Sequence, residues 1–200
     1  MRPLLDALFP SRCGLCDRLG DEAICSECRS EFVFPSDPEL RFANEDLAYR
    51  IAYARYEGRA GQAVRRLKYE RATSMAKPMA EESERIAGGL SFEVAVPVPI
   101  HFSRRAERGF NQAELLSECL RNVESDWLRR VKRTRPQVRM TPETRRTNLA
   151  GAFRADPRVS GKHVLLIDDV FTSGATAREC AAALRVAGAR EVGIVTFAVG

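Results

Sequence analysis

One stretch near the end of the chain, residues 164–176, constrains the fold more than any other part of the sequence. Four apolar residues, Val164 to Ile167, run directly into two adjacent carboxylates, Asp168 and Asp169. An unbroken apolar run of this length is typical of a parallel strand that is buried on both faces. The sequence therefore predicts an α/β fold with the acidic pair at the carboxyl end of a central strand, where open α/β sheets bind ligands.

The segment after the acidic pair has the composition of an anion-binding loop. It contains Thr172, Ser173, Gly174, Ala175 and Thr176, and a helix is predicted to follow. Small side chains and one glycine let successive backbone N–H groups converge on an anion, and the helix adds its positive N-terminal end. The simpler interpretation is a turn and a capped helix without a ligand. Because the chain has neither a G-x-x-x-x-G-K-[ST] nor a G-x-G-x-x-G motif, Walker-type and Rossmann sites are not supported.

Four cysteines near the start of the chain form two C-x-x-C pairs. Cys13 and Cys16 are separated from Cys25 and Cys28 by eight residues. Each pair can place two thiolates on one side of a tight turn, and two such turns make a tetrahedral S₄ site for Zn²⁺. Disulfides fit poorly with a cytosolic chain, and a redox site needs only one pair. We therefore predict a structural zinc module in residues 1–34.

The remaining two cysteines have a different sequence context. Cys119 and Cys180 each fall on a stripe of apolar residues at helical spacing. A free cysteine in such a stripe behaves as a small hydrophobic residue. We therefore predict that both are buried in the core.

The rest of the chain alternates between segments typical of strands and of helices. Residues 35–46 are predicted to be a linker, and residues 47–200 a second domain. Strands are predicted near 47–56, 92–99, 128–132, 163–168 and 191–199, and helices over 59–69, 72–87, 111–123 and 175–187. Pro78 is expected to interrupt the second helix. Alternating β and α units imply a parallel sheet with helices on both faces.

A second candidate anion site follows the predicted strand at 92–99. The residues concerned are Arg104, Arg105, Arg108, Gly109, Phe110, Asn111 and Gln112. Arginines in a loop that opens a helix can bind an anion, and Gly109 permits close approach of the backbone. Asn111 is a suitable helix cap. The competing interpretation is an ordinary solvated loop.

Positive charge is concentrated in one segment. The formal net charge is +5, and residues 129–154 contain nine Lys or Arg and one acidic residue, Glu143. Residues 133–154 are predicted to be a long loop, which in a compact domain is usually a functional lid or disordered. A cationic flap can close over a polyphosphate or contact nucleic acid. Only Trp127 and Phe153 supply aromatic rings nearby, which argues against a dedicated base-stacking surface.

The ends and the hydropathy of the chain indicate its cellular location. No apolar run is long enough to cross a membrane. Residues 1–9 carry one arginine and a brief apolar patch, and no small-residue cleavage site follows. We therefore expect a cytoplasmic protein without membrane insertion.

The acidic pair and its loop resemble the ribose 5-phosphate loop of type I phosphoribosyltransferases, the enzymes that use phosphoribosyl pyrophosphate (PRPP). Four further features support a narrower resemblance: the cysteine module, the stretch from Tyr56-x-Gly58 to Lys68-Tyr69, the Arg-Gly-Phe-Asn-Gln motif, and Arg145-x-x-Asn148. Together they resemble the ComF/GntX family, phosphoribosyltransferase-fold proteins linked to DNA uptake in competent bacteria. The resemblance implies a type I phosphoribosyltransferase-like parallel sheet flanked by helices, with a small N-terminal Cys₄ zinc module.

The resemblance also implies roles for individual residues. Asp168 and Asp169 would hold the ribose hydroxyls, and Arg145 would act with them in catalysis from a flexible loop at 133–154. PRPP, accompanied by Mg²⁺, would contact Thr172, Ser173, Gly174, Ala175, Thr176, Arg104, Arg105, Arg108 and Gly109. Residues 47–58 would belong to a hood over the acceptor. Lys68 occupies a family-typical position, although a helical lysine is more often solvated.

Three hypotheses for function follow. The chain is an active phosphoribosyltransferase with an unknown nitrogen or amine acceptor, or it binds PRPP or a nucleotide as a sensor without transferring anything. In the third hypothesis it handles single-stranded DNA during transformation, with a competence helicase as the partner that the family resemblance implies. Fold does not decide among them, because one fold hosts both catalysts and binding proteins.

Overall fold

A four-stranded parallel sheet forms the centre of the molecule. The structure is a computed structural model that describes residues 11–20, 22–36, 47–132 and 149–200. Its elements in chain order are α1 (Ser26–Ser30), β1 (Tyr49–Arg55), α2 (Gly58–Tyr69), α3 (Ala76–Ala87), β2 (Val94–Pro97), α4 (Phe102–Arg108), α5 (Gln112–Ser117), β3 (Leu128–Arg130), β4 (Phe153–Ala155), β5 (His163–Phe171), α6 (Ala175–Val186) and β6 (Glu191–Val199). The main sheet has the order β1-β6-β5-β2, and β3 and β4 form a separate antiparallel pair.

The central strand β5 is buried on both faces, as its apolar run predicts. Leu165 and Ile167 pack in a hydrophobic cluster on one face of the sheet, and Val164 and Leu166 pack in a second cluster on the other face. Successive side chains of a strand point to opposite faces, so both halves of the run are removed from water. The predicted parallel sheet with helices on both faces is therefore confirmed.

Strand β5 extends further than the sequence indicates, and its two neighbours end at different points. The predicted strand ended at residue 168, whereas β5 pairs with β6 as far as Phe171. On its other side the register with β2 stops at the pair of Pro97 with Ile167. The acidic pair therefore lies past the end of β2 but within the part of β5 that β6 still supports.

The connections after β2 and β5 leave the sheet on opposite faces. Leu116 of α5 packs in the first cluster, whereas Cys180 and Leu184 of α6 pack in the second. Neighbouring parallel strands whose connections diverge in this way leave a crevice at their carboxyl ends. This topology places the acidic pair beside an opening in the surface.

Several helix predictions need correction. Thr73–Met75 is a 3₁₀ turn, and α3 runs unbroken from Ala76, so Pro78 does not interrupt the helix. Pro78 lies in the first turn of α3, where a backbone N–H has no intrahelical acceptor and its loss is tolerated. The helix predicted over 111–123 is only Gln112–Ser117, although its Asn111 cap is confirmed, because the Asn111 side chain accepts a hydrogen bond from the Ala113 N–H.

The shorter α5 also changes the position of one cysteine. Cys119 lies beyond the end of the helix and is exposed, so its predicted burial is wrong. Cys180 lies within α6 and is fully buried, as predicted.

The end of the basic loop predicted over 133–154 overlaps a strand. Phe153–Ala155 forms β4, which pairs antiparallel with β3, and Phe153 is buried. Residues 133–148, including Arg145, lie outside the described residues, as do residues 37–46 of the predicted linker. Strand β1, which lies within the residues 47–58 expected to belong to a hood, is the edge strand of the main sheet next to β6.

The described part of the cysteine module packs against the same core as the sheet. Leu15 and Phe32 belong to the first hydrophobic cluster, and the Phe32 ring meets the rings of Tyr53 and Phe197 edge-on at 6.1 and 6.0 Å. Gly14 lies so close to Met75 that an added Cβ would be 2.6 Å from the Met75 side chain. Among the described helices, none is long and apolar enough to span a membrane.

Candidate functional site

A cavity of about 630 Å³ opens at the carboxyl ends of β2 and β5. Its walls come from the end of α2, the segment after β2, α4, the start of α5, β3, and the segment from β5 into α6. The lining residues are Lys68, Tyr69, Arg71, Val98, Pro99, Ile100, Arg104, Glu107, Arg108, Asn111, Gln112, Arg130, Asp168, Asp169, Val170, Thr172 and Thr176. Five of these side chains are cationic and three are acidic, so the cavity suits an anion that also carries hydroxyl groups.

The two aspartates of the acidic pair have different environments. Asp169 is 3% exposed, whereas Asp168 is half-buried, and the Asp169 N–H donates to Asp168 Oδ1 at 2.9 Å. Burial and then the neighbouring charge of Asp169 raise the pKa of Asp168 to about 7, although Lys68 opposes the shift. The Asp168 carboxyl can therefore change its protonation near neutral pH.

Lys68 at the end of α2 neutralises the buried carboxylate. Its Nζ lies 2.8 Å from Asp169 Oδ2, and the two side chains are 19% and 4% exposed. Among the described residues, this ion pair is the contact that compensates the buried Asp169 Oδ2, which has no separate hydrogen-bond donor. Burial acts to lower the pKa of Lys68, but the charges of Asp169 and Asp168 outweigh it, so the pKa is raised. The interpretation of Lys68 as a solvated helical lysine is therefore wrong.

The sequence contained a signal for this lysine. Lys68 follows Ala60 and Val64 at four-residue intervals, and both of those residues are fully buried. Residues four apart lie on the same face of a helix. A lysine on the buried stripe of a helix requires an anionic partner, because an unpaired buried charge is very costly.

The loop after β5 has the geometry expected of an anion site. Gly174 has φ of +70°, and an added Cβ would lie 2.4 Å from the Phe171 ring. Only glycine fits this left-handed position at such a close approach. Thr172 and Thr176 line the main cavity, and the whole loop from Thr172 to Thr176 lines a smaller adjoining pocket that it shares with Asp168. Helix α6 begins at Ala175, so its positive end lies at this pocket.

Only part of the arginine-rich segment faces the cavity. Arg104 and Arg108 line it, whereas the Arg105 guanidinium pairs with Glu114 and lies outside the lining. Gly109 adopts φ of +87° and ends α4. Burial and then the charge of Arg108 lower the pKa of Arg104, as expected for cations gathered around an anion site.

Two cavity cations were missed by the sequence reasoning. Arg130 reaches the cavity from β3, and burial followed by the charge of Arg104 lowers its pKa. Arg71 follows α2, and its Nη2 donates to the Glu107 carbonyl at 2.7 Å, which joins two walls of the cavity. Neither residue belongs to a motif. Each is brought to the cavity by tertiary structure alone.

The Asn111 and Gln112 side chains organise the cavity wall. Asn111 is 3% exposed, and its Nδ2 donates to the Val98 carbonyl at 3.1 Å while its Oδ1 caps α5. Gln112 Oε1 accepts from Arg108 Nη1 at 3.1 Å. The motif therefore fixes the start of α5 to the end of β2 and orients Arg108 toward the cavity.

The four N-terminal cysteines form a compact ligand set. All four Sγ atoms of Cys13, Cys16, Cys25 and Cys28 lie within 4.8 Å of one another. Tetrahedral Zn²⁺ with Zn–S bonds of about 2.3 Å requires sulfurs roughly 3.8 Å apart, so the set fits the metal. Burial acts to raise the pKa of Cys13, but N–H donors including those of Cys25 and Leu15 lower it to about 6. A thiolate is the form that binds zinc.

Family models match both the cysteine module and the domain that contains the cavity. Residues 85–199 match the phosphoribosyl transferase domain, and residues 4–39 match the double zinc ribbon domain. The second match and the four close cysteines support a structural zinc site. In this respect the predicted zinc module is confirmed.

Several bacterial proteins are similar to the chain. The DNA utilization protein YhgH of Salmonella typhimurium (strain LT2) is 30% identical over 196 residues, which cover 90% of this chain and 86% of that protein. Competence protein F of Haemophilus influenzae is 37% identical over 112 residues, which cover 50% of this chain and 47% of that protein. Competence protein ComFC of Bacillus subtilis (strain 168) is 35% identical over 83 residues, which cover 42% and 34% of the two chains.

Similarity to solved structures is weaker. The allosteric regulatory enzyme of purine biosynthesis is 22% identical with a TM-score of 0.42, and the match covers 62% of this chain and 26% of that one. A TM-score this low adds nothing to the assignment. The family model and the relative aligned over nine-tenths of the sequence are sufficient, and they show that the chain belongs to the ComF/GntX family of phosphoribosyltransferase-fold proteins.

Proposed function

We propose that the cavity binds PRPP together with Mg²⁺ and that the protein transfers the phosphoribosyl group to an acceptor with a nitrogen nucleophile. One observation carries the proposal. The acidic pair, the hydroxyl-rich loop at 172–176 and the guanidinium groups of Arg104 and Arg108 surround the cavity at the carboxyl edge of the sheet and the small pocket that adjoins it. A sugar that bears a phosphate at one end and a pyrophosphate at the other matches this order of groups.

Each part of PRPP has a complementary part of the cavity. The 5-phosphate would lie in the loop from Thr172 to Thr176, against the start of α6. The ribose hydroxyls would donate to the acidic pair, and mainly to Asp168, because Asp169 is held by Lys68. Arg104, Arg108 and Arg130 would neutralise the pyrophosphate.

The transfer step depends on positioning and on charge. The bond between ribose C1 and the pyrophosphate oxygen breaks, positive charge develops at C1, and the acceptor nitrogen supplies its lone pair to form the new bond before losing a proton. Cations around the leaving pyrophosphate and carboxylates near the ribose stabilise this separation of charge. Mg²⁺ fits a site with a half-buried carboxylate and ligand phosphates, since it retains several waters and needs few protein ligands. It would supply further charge to the pyrophosphate.

Titration of PRPP and Mg²⁺ into the protein tests binding and transfer together. We expect wild type to bind by calorimetry, Asp168→Asn and Asp169→Asn to bind much more weakly, and one of a panel of bases and amines to trigger pyrophosphate release. Wild type that binds no PRPP would contradict the proposal. Arg145, which the family resemblance places in catalysis, lies outside the described residues.

A sensor that binds PRPP without transferring it is the second candidate function. The cavity is consistent with it, because every residue that would contact the ribose and its phosphates would serve binding as well as catalysis. Binding without pyrophosphate release across the whole acceptor panel would favour the sensor.

The cellular role that we propose is in DNA uptake or use, in the cytoplasm. The names of relatives, two competence proteins and a DNA utilization protein, support it. The basic segment at 129–154 could contact single-stranded DNA, and a competence helicase would be a partner. DNA affinity should then fall steeply with salt and with changes of Arg135, Arg139 and Arg145, yet survive Asp168→Asn.

A further inference from the structure

Lys68 occupies a position in the cavity that the ion pair with Asp169 does not fully explain. It lines the cavity from the last turn of α2, and 19% of its side chain is exposed even though its Nζ is 2.8 Å from a nearly buried carboxylate. A lysine that served only to neutralise Asp169 would have no need to reach the cavity surface. Its exposed part therefore faces the space that a ligand would fill.

The donors of Lys68 are only partly used within the protein. An ammonium carries three N–H donors. Among the described residues, the one carboxylate within 4.0 Å of Nζ is Asp169. The charges of Asp169 and Asp168 both act to raise the pKa of Lys68, so the group stays protonated at neutral pH. It therefore has donors to offer to an anionic ligand at the acidic pair.

We propose that Lys68 binds the sugar phosphate directly, donating to an anionic ligand oxygen with one N–H while it holds Asp169 with another. The inference rests on the proposed function, a ribose-phosphate ligand in the cavity. In this arrangement, Lys68 compensates for the negative charge that the acidic pair would otherwise present to an anion. It is thus a ligand-binding residue as well as a partner of Asp169.

A double-mutant comparison separates these two roles. Lys68→Met alone leaves Asp169 buried without a counter-ion, so we expect it to lower both thermal stability and affinity for PRPP with Mg²⁺. Asp169→Asn in the same chain removes the uncompensated carboxylate and should restore much of the stability. Arg65→Met is the matched control, because Arg65 is an exposed cation of the same helix that does not line the cavity.

The affinity of the double variant decides the question. We expect it to bind PRPP at least about tenfold more weakly than Asp169→Asn alone, the usual effect of losing a charge-assisted hydrogen bond. Equal affinity of these two variants would overturn the inference and leave Lys68 with the ion pair only. If wild type binds neither PRPP nor ribose 5-phosphate, the proposed function fails and the inference fails with it.

A second measurement does not depend on how the double variant folds. Wild type labelled with ¹⁵N-lysine would show the Lys68 ammonium signal, which the Lys68→Arg variant identifies by its loss. Addition of PRPP and Mg²⁺ should shift that signal and leave the signal of Lys162, which lies outside the cavity, in place. A bound state with an unchanged Lys68 signal would overturn the inference.

Discussion

The cysteine module and the cationic cavity assemble their chemistry in opposite ways. The four zinc ligands come from one stretch of sixteen residues, Cys13 to Cys28, and nothing outside it is needed to complete the set. The cavity draws charged side chains from residues 68–71, 104–108, 130 and 168–169, which only the sheet and its crossovers bring together. One site is local in sequence, and the other depends on the whole fold.

The difference shows how each site is expected to respond to change. A local metal site derives its stability from the metal, and it contributes that stability to whatever it packs against. A cavity built from distant segments holds like charges close together, so it costs stability and depends on the rest of the fold for support. Substitutions in the two sites should therefore change the free energy of unfolding by different amounts.

Loss of one zinc ligand should have the greatest effect. Cys13→Ser is expected to abolish zinc binding and to destabilise the fold by about 3 kcal/mol or more, because the module packs on the core through Leu15 and Phe32. Metal analysis and denaturant unfolding measure the two effects. The control is Cys119→Ser, an exposed cysteine outside the set. Full zinc content in Cys13→Ser would show that Cys13 is not needed to bind the metal.

Substitution of Gly174, in the loop at 172–176, should have the next largest effect on stability. Gly174→Ala places a Cβ about 2.4 Å from the Phe171 ring at a positive φ, and we expect a loss of about 2 kcal/mol together with weaker PRPP binding. Gly161→Ala is the matched control, with φ of +74° but open space around the added atom. It should lose only about 1 kcal/mol. Equal losses would show that the contact with Phe171 is unimportant.

Neutralising Asp168 should stabilise the protein while it removes ligand binding. Because the pKa of Asp168 is raised to about 7, the native state retains this proton at a higher pH than the unfolded chain does. Its contribution to stability is therefore full below about pH 4 and is lost as the pH rises through 7. Asp168→Asn should be more stable than wild type at pH 8 by on the order of 1 kcal/mol.

The same comparison at lower pH provides the control for that prediction. At pH 5 the wild-type carboxyl is protonated in the native state, so the advantage of Asp168→Asn should shrink. Thermal unfolding at the two pH values measures the difference. An advantage that did not grow between pH 5 and pH 8 would show that the acidic end of β5 carries no electrostatic cost.

The smallest effect should come from Arg105. Arg105→Met breaks an exposed ion pair with Glu114, and we expect a stability change below about 0.5 kcal/mol and unchanged PRPP affinity. Arg104→Met removes a neighbouring cation that lines the cavity, so PRPP binding should weaken. Calorimetry measures the PRPP affinity of both variants and shows which of the two arginines belongs to the binding site. Equal losses of affinity would place Arg105 inside it.

Sequence patterns predicted the parts of the fold that are decided locally. Strand β6 has the predicted bounds, 191–199, because its side chains are buried on both faces and leave a continuous apolar run. The four cysteines could be assigned by spacing alone. The loop at 172–176 could be assigned from its composition, and the positive φ of Gly174 beside the Phe171 ring explains why a glycine stands there.

The parts that were missed depend on tertiary contacts. Helix α5 ends at Ser117, and nothing in the apolar spacing of the next residues marks that end, so Cys119 was placed on a buried face that does not exist. The burial and pairing of Lys68 could not be predicted from the sequence, because its partner Asp169 lies about a hundred residues away. Arg130 belongs to the basic segment at 129–154, but nothing in that segment distinguishes it, and only the position of β3 brings it to the cavity.

Helix α2 touches both sites. Arg59 near its start donates to the Leu15 carbonyl, Arg66 donates to the Gly14 carbonyl, and Lys68 near its end holds Asp169. The helix has twelve residues, so its axis is about 18 Å long. A helix of this length is short and stiff, so we expect a displacement of the cysteine-bearing turns to be transmitted to the edge of the sheet where we propose that PRPP binds. Zinc content and affinity for PRPP should accordingly be measured on the same sample.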